Sequence, residues 1–422
     1  MCLKLFNNKA YGNGAGDYSI PLVRLDVMPD NTPEELKYLY DLSVIDNGLD
    51  YLGHPDAILL KDGSILDVYP SGHGKGAIRS RISRDGGITY DAEIENQPKS
   101  WDKSRETPTV YRLEFSDGTP DKILLTSGNP NWHDGKGTIG GFNFSLSDDE
   151  GKTWSEFELC FAKKDEFTVI PTVAMASLTR LKENGKFADK WMAFFHNADF
   201  VNFKTILSFE NGKPVWSTPE PYFAEHRKIE KKANMCEVEV VRSDCGKGDE
   251  LCLIARSNNK NYNSLISFSQ DEGKTWSAPV FVPSALNGER HKADYTPDGR
   301  LFITFRSIER DKAKFEKYKG IDTPKTWYSE GWIAWVGTYE DLKNGREGQY
   351  RIKLAHTYLS NQKEPSIVAN ADTGYCGNVV FDDGTIVTST YGCFGEKKSD
   401  GGYKTYVASK RLKLSDVDKL VK

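Results

Sequence analysis

The sequence predicts an all-β chain folded as a six-bladed β-propeller of four-stranded antiparallel blades, and three observations carry that expectation. The first is a repeated loop. Ser147 to Trp154 (SDDEGKTW) returns nearly unchanged at Ser269 to Trp276 (SQDEGKTW), and an altered copy lies at Ser83 to Tyr90 (SRDGGITY). The second is the period. The loop aspartates Asp85, Asp149 and Asp271 stand 64 and 122 residues apart, and 122 is twice 61. A missing copy is therefore expected near position 210, where Ser208 to Trp216 (SFENGKPVW) carries Glu210 in place of the aspartate. The third is a ladder of Gly-containing turns at Asp62-Gly63, Asp117-Gly118, Asn184-Gly185, Gly246 to Gly248, Asp298-Gly299 and Asp383-Gly384. Short apolar runs such as Ala57–Leu60 and Ile65–Tyr69 flank these turns and read as hairpin strands. Six such turns mean six units, and radial repetition of four-stranded units is a propeller. A sandwich or β-helix explains neither the long period nor two turn types per unit, and six blades fit better than five or seven.

The repeated loop has a local physical logic. An Asp carboxylate accepts hydrogen bonds from the N–H groups of its own turn, and Gly takes the positive φ that a side chain resists. The terminal aromatic then folds back onto the apolar layer below. Such a loop clasps a hairpin. It is not itself a catalytic carboxylate site.

In chain order, residues 1–50 form an N-terminal closing segment and 51–422 a single propeller. The apolar run Ile20–Val27 is the expected strand that closes the ring on the last blade. Pro33–Tyr40 reads as a short helix with Thr32 as N-cap and Pro33 at its first position. Blade one runs from Tyr51 to about Glu95, with a mouth loop at Ser71–Gly76. Blade two starts near Arg105 and includes Asn129–His133. Blade three starts at Pro171 and carries His196 after its second strand. Blade four starts at Cys236 and carries Arg256. Blade five starts near His291–Asp294, contains Arg306, and continues into a charged insertion, Glu309–Lys325, read as partly helical. Blade six starts at Gly374-Tyr375 and includes Tyr391.

Composition narrows the function. A net charge of −5 and a pI near 5.9 argue against nucleic acid or an anionic membrane surface as partner. No apolar run is long enough for a membrane-spanning helix. The first residues lack the apolar core of a secretory signal, which fits a cytoplasmic chain or a secreted one whose signal is already removed. Seven cysteines without metal-ligand spacing read as free, buried thiols. Neither a metal nor a cofactor is expected.

Blade geometry then selects candidate site residues. The start of a first strand and the end of the second emerge at the same mouth of a propeller. First-strand starts supply His54, Asp56, Glu106, Glu237, Asp294 and Tyr375. Second-strand ends supply His73, Lys75, Trp132, His133, His196, Arg256, Arg306 and Tyr391. Titratable groups gathered in one concave mouth mark a functional site. Arg256 and Arg306 suit an anionic group, since a guanidinium fork matches a carboxylate. Tyr375 beside Glu237 suits an activated phenol nucleophile, and His54 and His73 suit proton transfer near neutral pH.

The repeated loops resemble the Asp-boxes of the sialidase superfamily, and the six-unit layout resembles its propeller across residues 51–410. Met235–Val241 followed by Ile254–Asn258 resembles the blade that supplies the sialidase glutamate and one arginine. Gly374–Asn378 followed by Asp383–Ile386 resembles the blade that supplies the tyrosine nucleophile. The resemblance implies Glu237 as the base for Tyr375, and Arg256 as a carboxylate ligand. Two positions depart from it. Gly53-His54-Pro55-Asp56 stands where an arginine motif is expected, and Ser71–Gly76 stands where the acid/base aspartate is expected.

The expected function is hydrolysis of a terminal, acidic sugar from a glycan or oligosaccharide. Tyr375, Glu237, His73 and Asp56 would be catalytic, the last two as alternatives for protonating the leaving oxygen. Arg256, His54, Arg306, Glu106, Lys75, Trp132 and His196 would bind substrate. The paired histidines also resemble, more loosely, propeller lyases of uronic-acid polysaccharides, with Tyr111 or Tyr375 as their partner. A non-catalytic glycan-binding propeller is the third reading.

Overall fold

Six small antiparallel sheets follow one another along the chain and stand around a common axis as the blades of a propeller. The structure, a computed structural model, describes residues 18–91, 93–130, 140–162, 171–173, 177–259, 262–310, 327–358 and 372–421. Blade one pairs Asp56–Leu59, Ile65–Pro70 and Ile78–Ser83, three strands among the described residues instead of the expected four. Blade two is Thr109–Leu113, Lys122–Gly128, Phe142–Ser147 and Glu158–Cys160. Blade three is built around the long strand Lys186–Asn197, which pairs with Leu178–Glu183 and Pro171–Val173 on one side and Asn202–Glu210 on the other. Blade four is Met235–Arg242, Leu251–Ser257, Leu265–Ser269 and Val280–Phe281.

The ring closes differently from the sequence expectation. Within the Ile20–Val27 run, Leu22–Arg24 pairs parallel with Tyr350–Ala355, adding a fifth strand to blade five beside Gly288–Tyr295, Leu301–Ser307 and Trp332–Gly337. The closing strand is Ser43–Asp46. It pairs antiparallel with Tyr406–Lys413 and so completes blade six, whose inner strands are Gly377–Val380 and Thr385–Gly392. Between the two N-terminal strands, Glu34–Tyr40 is a 3-10 helix that buries Leu36 and Leu39 against Leu412, Leu414 and Val417. Pro33 stands at its cap position, while the Thr32 hydroxyl donates to the Pro29 carbonyl (2.7 Å), so Thr32 is not the cap. The buried Lys410 ammonium donates to the carbonyls of Leu25 and Leu39 and ties both ends of this segment to blade six.

Second strands carry apolar side chains on both faces because each is covered by the neighbouring blades. Leu66 and Val68 of blade one meet Val110, Ile123 and Leu125 of blade two. Met192 and Phe194 of blade three meet Leu251, Leu253 and Ala255 of blade four, with Trp276 folded in from its loop. The expected site of the relic copy near 210 is a hairpin turn at Asn211-Gly212, both residues left-handed, in the same place in blade three that the intact loops occupy in theirs.

The intact loops behave as their chemistry requires. In the second copy Asp149 accepts from the Thr153 N–H (2.8 Å) and hydroxyl (2.6 Å), and the Trp154 indole donates to the Gly151 carbonyl (3.0 Å). The two DEG loops also do something the pattern alone does not reveal. Glu150 accepts from the Lys61 N–H of blade one and from the Arg112 guanidinium, and Glu272 accepts from the Lys182 N–H of blade three and from Arg242. Each loop therefore fastens its blade to the preceding one, on the face opposite the mouth.

At the closure, Asp46 accepts from Tyr69 Oη (2.8 Å), Arg79 Nε (2.8 Å) and the Gly48 N–H (2.9 Å), with Arg81 at 3.2 Å. Burial works against the Asp46 carboxylate, yet these donors hold its pKa below the ordinary range. A depressed carboxyl contributes stability that is present above its unfolded value and lost as the pH falls through the folded one. Asp46→Asn is therefore expected to lower unfolding free energy by about 3 kcal/mol at neutral pH. The deficit should shrink below about pH 4, where the unfolded carboxyl protonates. Denaturant melts across pH check this, and an equal deficit at acid and neutral pH contradicts it.

Candidate active site

Three first strands enter the mouth through a residue in the left-handed region: His54 (φ 54°), Glu237 (φ 45°) and Arg290 (φ 54°). In blades four and five the turn is a bulge, with the register shifting between Cys236 and Val238 and between Glu289 and Lys292. A bulge re-aims one side chain out of the ladder and into the mouth. Two residues on, the alternation of a strand sends Asp56, Glu239 and Lys292 to the same side one layer deeper. There Lys292 Nζ lies 3.1 Å from Asp56, whose other oxygen accepts from the Val110 N–H.

Tyr375 sits at the centre. Its hydroxyl donates to Glu237 Oε1 (2.7 Å) and accepts from Arg256 Nη1 (2.8 Å), while Arg256 also reaches Glu237 Oε2 (2.9 Å). Arg306 lies over the Tyr375 ring with its guanidinium carbon 4.7 Å from the centroid. The backbone that carries Tyr375 approaches closely because residue 374 is glycine. At φ 83°, a Cβ there would stand 2.6 Å from Arg306 Cα.

Glu289 lies between two of the arginines, 3.1 Å from Arg256 and 2.9 Å from Arg306. The third, Arg290, is buried, and its Nη1 has no hydrogen-bond partner among the described residues. Burial penalises the Glu237 carboxylate, but Arg256 and Arg290 outweigh it and hold the group at about 2. Burial lifts the Tyr375 phenol above its ordinary value despite the opposing pull of Arg256 and Arg306.

A second network borders the first. Tyr391 Oη donates to Asp372 (3.0 Å), accepts from Arg306 Nη2 (2.7 Å) and lies 3.1 Å from His54 Nε2. Since His54 Nδ1 accepts from the Gly74 N–H (2.9 Å), the ring proton belongs on Nε2, and His54 is a neutral donor to Tyr391. Burial, His73 and Arg306 together keep it neutral. His73 is exposed, with Nδ1 3.4 Å from Asp372 and its ring edge-on to His54 at 4.7 Å. Tyr51 donates to the other Asp372 oxygen (2.9 Å).

Of the residues expected from sequence, Tyr375, Glu237, Arg256, Arg306, His54 and Tyr391 converge in one network. Glu106 is buried at the blade-two edge of the mouth, and Asp56 and Asp294 lie deeper, facing Lys292. His196 is a buried neighbour whose ring stacks on Phe200 at 5.5 Å and whose Nδ1 meets the Asn197 carbonyl. Lys75 is exposed on the mouth loop. Trp132 and His133 lie outside the described residues. So does most of the charged insertion, whose base is a two-stranded ribbon pairing Glu309–Arg310 with Trp327–Tyr328.

Sequence reasoning missed Glu289, Arg290, Lys292, Asp372 and Tyr51. The expected start of blade five, near His291–Asp294, is late, since its first strand begins at Gly288. Setting Cys236-Glu237-Val238-Glu239 against Glu289-Arg290-His291-Lys292 by the period-two alternation would have found three of them.

No protein-family model matches the sequence, and no curated protein matches it. Solved structures do share its fold. A protein of unknown function from Dyadobacter fermentans superposes with a TM-score of 0.58 at 16% identity, over 88% of this chain and 98% of that one. The GH93 α-L-arabinofuranosidase of Fusarium graminearum, solved with arabinobiose, gives 0.56 at 14% identity, over 89% and 98%. The NanB sialidase of Streptococcus pneumoniae gives 0.51 at 11% identity, over 89% and 70%. At such identities the likeness is one of fold.

The hydrogen-bond pattern of His54 makes a solution prediction. Its ring should remain a neutral Nε2–H tautomer at pH values where free imidazole, with a pKa of about 6.5, is mostly charged. Imidazole nitrogen NMR reads this directly. A doubly protonated His54 ring at pH 6 would show that the network is drawn wrongly.

Proposed function

We propose that the protein is a glycoside hydrolase with sialidase-like chemistry, removing a terminal, acidic sugar from a glycan. The observation that carries this reading is the three-way contact of Tyr375 with Glu237 and Arg256. A phenol that donates to a carboxylate and accepts from a guanidinium is arranged to lose its proton as its oxygen gains a bond. A tyrosine nucleophile is a known variant of the two-carboxylate glycosidase scheme.

In the first step Tyr375 Oη attacks the anomeric carbon, its proton passes to Glu237, and the glycosidic C–O bond breaks. Glu237 is a weak base at rest, held ionised by Arg256 and Arg290. The transfer is therefore uphill until the new C–O bond forms, which ties proton movement to the chemical step. Arg256 steadies the charge on the phenol oxygen. Arg290, with its unpartnered Nη1, offers the donor that a sugar carboxylate would fill. Arg256 and Arg306 are already engaged by Glu289, so they frame this pocket instead of gripping an anion alone. The similar fold of an arabinofuranosidase and a sialidase supports a glycan in the mouth.

A second reading has its own observation. The His54–Tyr391–Asp372 network, with His73 and Tyr51 beside it, is a proton-relay arrangement that suits β-elimination on a uronic-acid glycan. Screening purified protein against sialosides, uronic-acid glycans and aryl arabinofuranosides separates the two, because elimination leaves an unsaturated ring that absorbs in the near ultraviolet. Under the hydrolase reading Tyr375→Phe should cost roughly a thousandfold or more in kcat with an unchanged melting curve. Full turnover by that variant removes Tyr375 from the chemistry, and saturable sugar binding without turnover by the native protein makes the propeller a lectin.

A further inference from the structure

A hydrolase of this kind needs a proton donor for the departing oxygen, and the two residues expected from sequence are poorly placed to be it. Asp56 lies below the mouth, locked between Lys292 and the Val110 N–H. His73 is exposed, and its Nδ1 is directed to Tyr51 and Asp372. His54 already directs its one ring proton to Tyr391.

We infer that Glu106 is the general acid/base: its carboxyl group is buried at the blade-two edge of the mouth, against Gly74 and beside His54, whose ring packs edge-on against Tyr375. A Cβ built at Gly74 would stand 3.6 Å from Glu106 Oε1 and 4.0 Å from His54 Cε1. The His54 and Tyr375 ring centroids are 4.9 Å apart. Glu106 and His54 thus both border Gly74, and His54 in turn packs on Tyr375, which puts the Glu106 carboxyl and the phenol on the same edge of the mouth. Glu106 Oε1 accepts from the Thr107 N–H (2.9 Å), which fixes the carboxyl plane, and no salt bridge among the described residues engages it. Gly74, at φ 63°, borders this carboxyl, and a side chain there would stand in van der Waals contact with it.

The electrostatics agree with the geometry. Burial raises Glu106 to about 7, against the Thr107 hydrogen bonds and the attraction of Arg290, with Glu237 adding repulsion. Glu237 is held at about 2 in the same mouth. Two carboxyl groups driven apart in this way mark the protonated acid and the ionised partner.

The inference rests on the hydrolase reading. In the first half-reaction the Glu106 proton moves to the glycosidic oxygen as the C–O bond breaks, while Tyr375 forms its bond to the anomeric carbon and passes its proton to Glu237. In the second, the Glu106 carboxylate takes a proton from water whose oxygen attacks that carbon. The Tyr375 bond then breaks, and Glu237 returns the proton to the phenol.

The test is Glu106→Gln, assayed beside Tyr375→Phe on two glycosides of whichever sugar the native protein releases. One is a dinitrophenyl glycoside, whose leaving group needs no proton, and the other a methyl glycoside, whose leaving group does. Glu106→Gln should lose about 10²–10⁴-fold on the methyl glycoside. Its loss in release of dinitrophenol should be much smaller, with azide accelerating turnover, and the decline in activity expected of the native protein above neutral pH should vanish. Equal losses on both substrates with the alkaline decline intact would overturn the role of Glu106 while leaving Tyr375 standing. Full activity of Tyr375→Phe, or no release of any sugar by the native protein, would instead overturn the hydrolase reading and this inference with it. If Glu106→Gln fails to fold, Glu106→Asp gives the same decision, since a shortened acid should slow the methyl glycoside selectively.

Discussion

Three guanidiniums, one buried and two partly buried, share one small mouth, and the structure holds together there because carboxylates stand between them. Glu289 bridges Arg256 and Arg306, and Glu237 faces Arg256 with Arg290 close by. Like charges about 4 Å apart repel by about 4 kcal/mol even with an effective dielectric of about 20, so guanidiniums gathered in one mouth need anions among them. The compensation is also mechanical. Arg256 belongs to blade four, Glu289 and Arg306 to blade five, and Tyr375 and Tyr391 to blade six, so the same bonds that balance charge fix three blades relative to one another. The phenol of Tyr375 is held by this frame, and its position is a property of the ring as a whole.

The opposite face solves a separate problem with separate residues. There the aspartates of the repeated loops satisfy their own turns, and the following glutamates, Glu150 and Glu272, reach across to the preceding blade. The repeat that dominates the sequence therefore belongs wholly to the scaffold. None of its residues enters the mouth. This separation leaves the mouth free to change while the clasp persists.

The scaffold was the legible part. A period of 61 residues and the paired turn types report directly on blade number, because each blade must bury its own strands and repeat its own turns. Tyr375, Glu237 and Arg256 were also legible, since strand ends are fixed by the same turns. The closing strand was not. Leu22–Arg24 and Ser43–Asp46 are both short edge strands, and hydrophobicity cannot say which blade an edge joins. Glu289 and Arg290 were hidden for a different reason. They precede the apolar run and sit at a bulge, where the chain departs from the alternation that sequence patterns measure. Asp372 follows the residues outside those described, with no strand of its own to announce it.

The left-handed residues at the mouth have one more consequence. A side chain in that backbone region costs roughly 1–2 kcal/mol relative to the right-handed or extended regions, and glycine largely escapes the penalty. His54, Glu237 and Arg290 all occupy it, each at a position where its side chain faces the others. The mouth is thus a place where local thermodynamic fitness and chemical use oppose each other. Glycine would sit at these positions with less strain, so the three side chains are placed in the mouth at a cost in the stability of the fold.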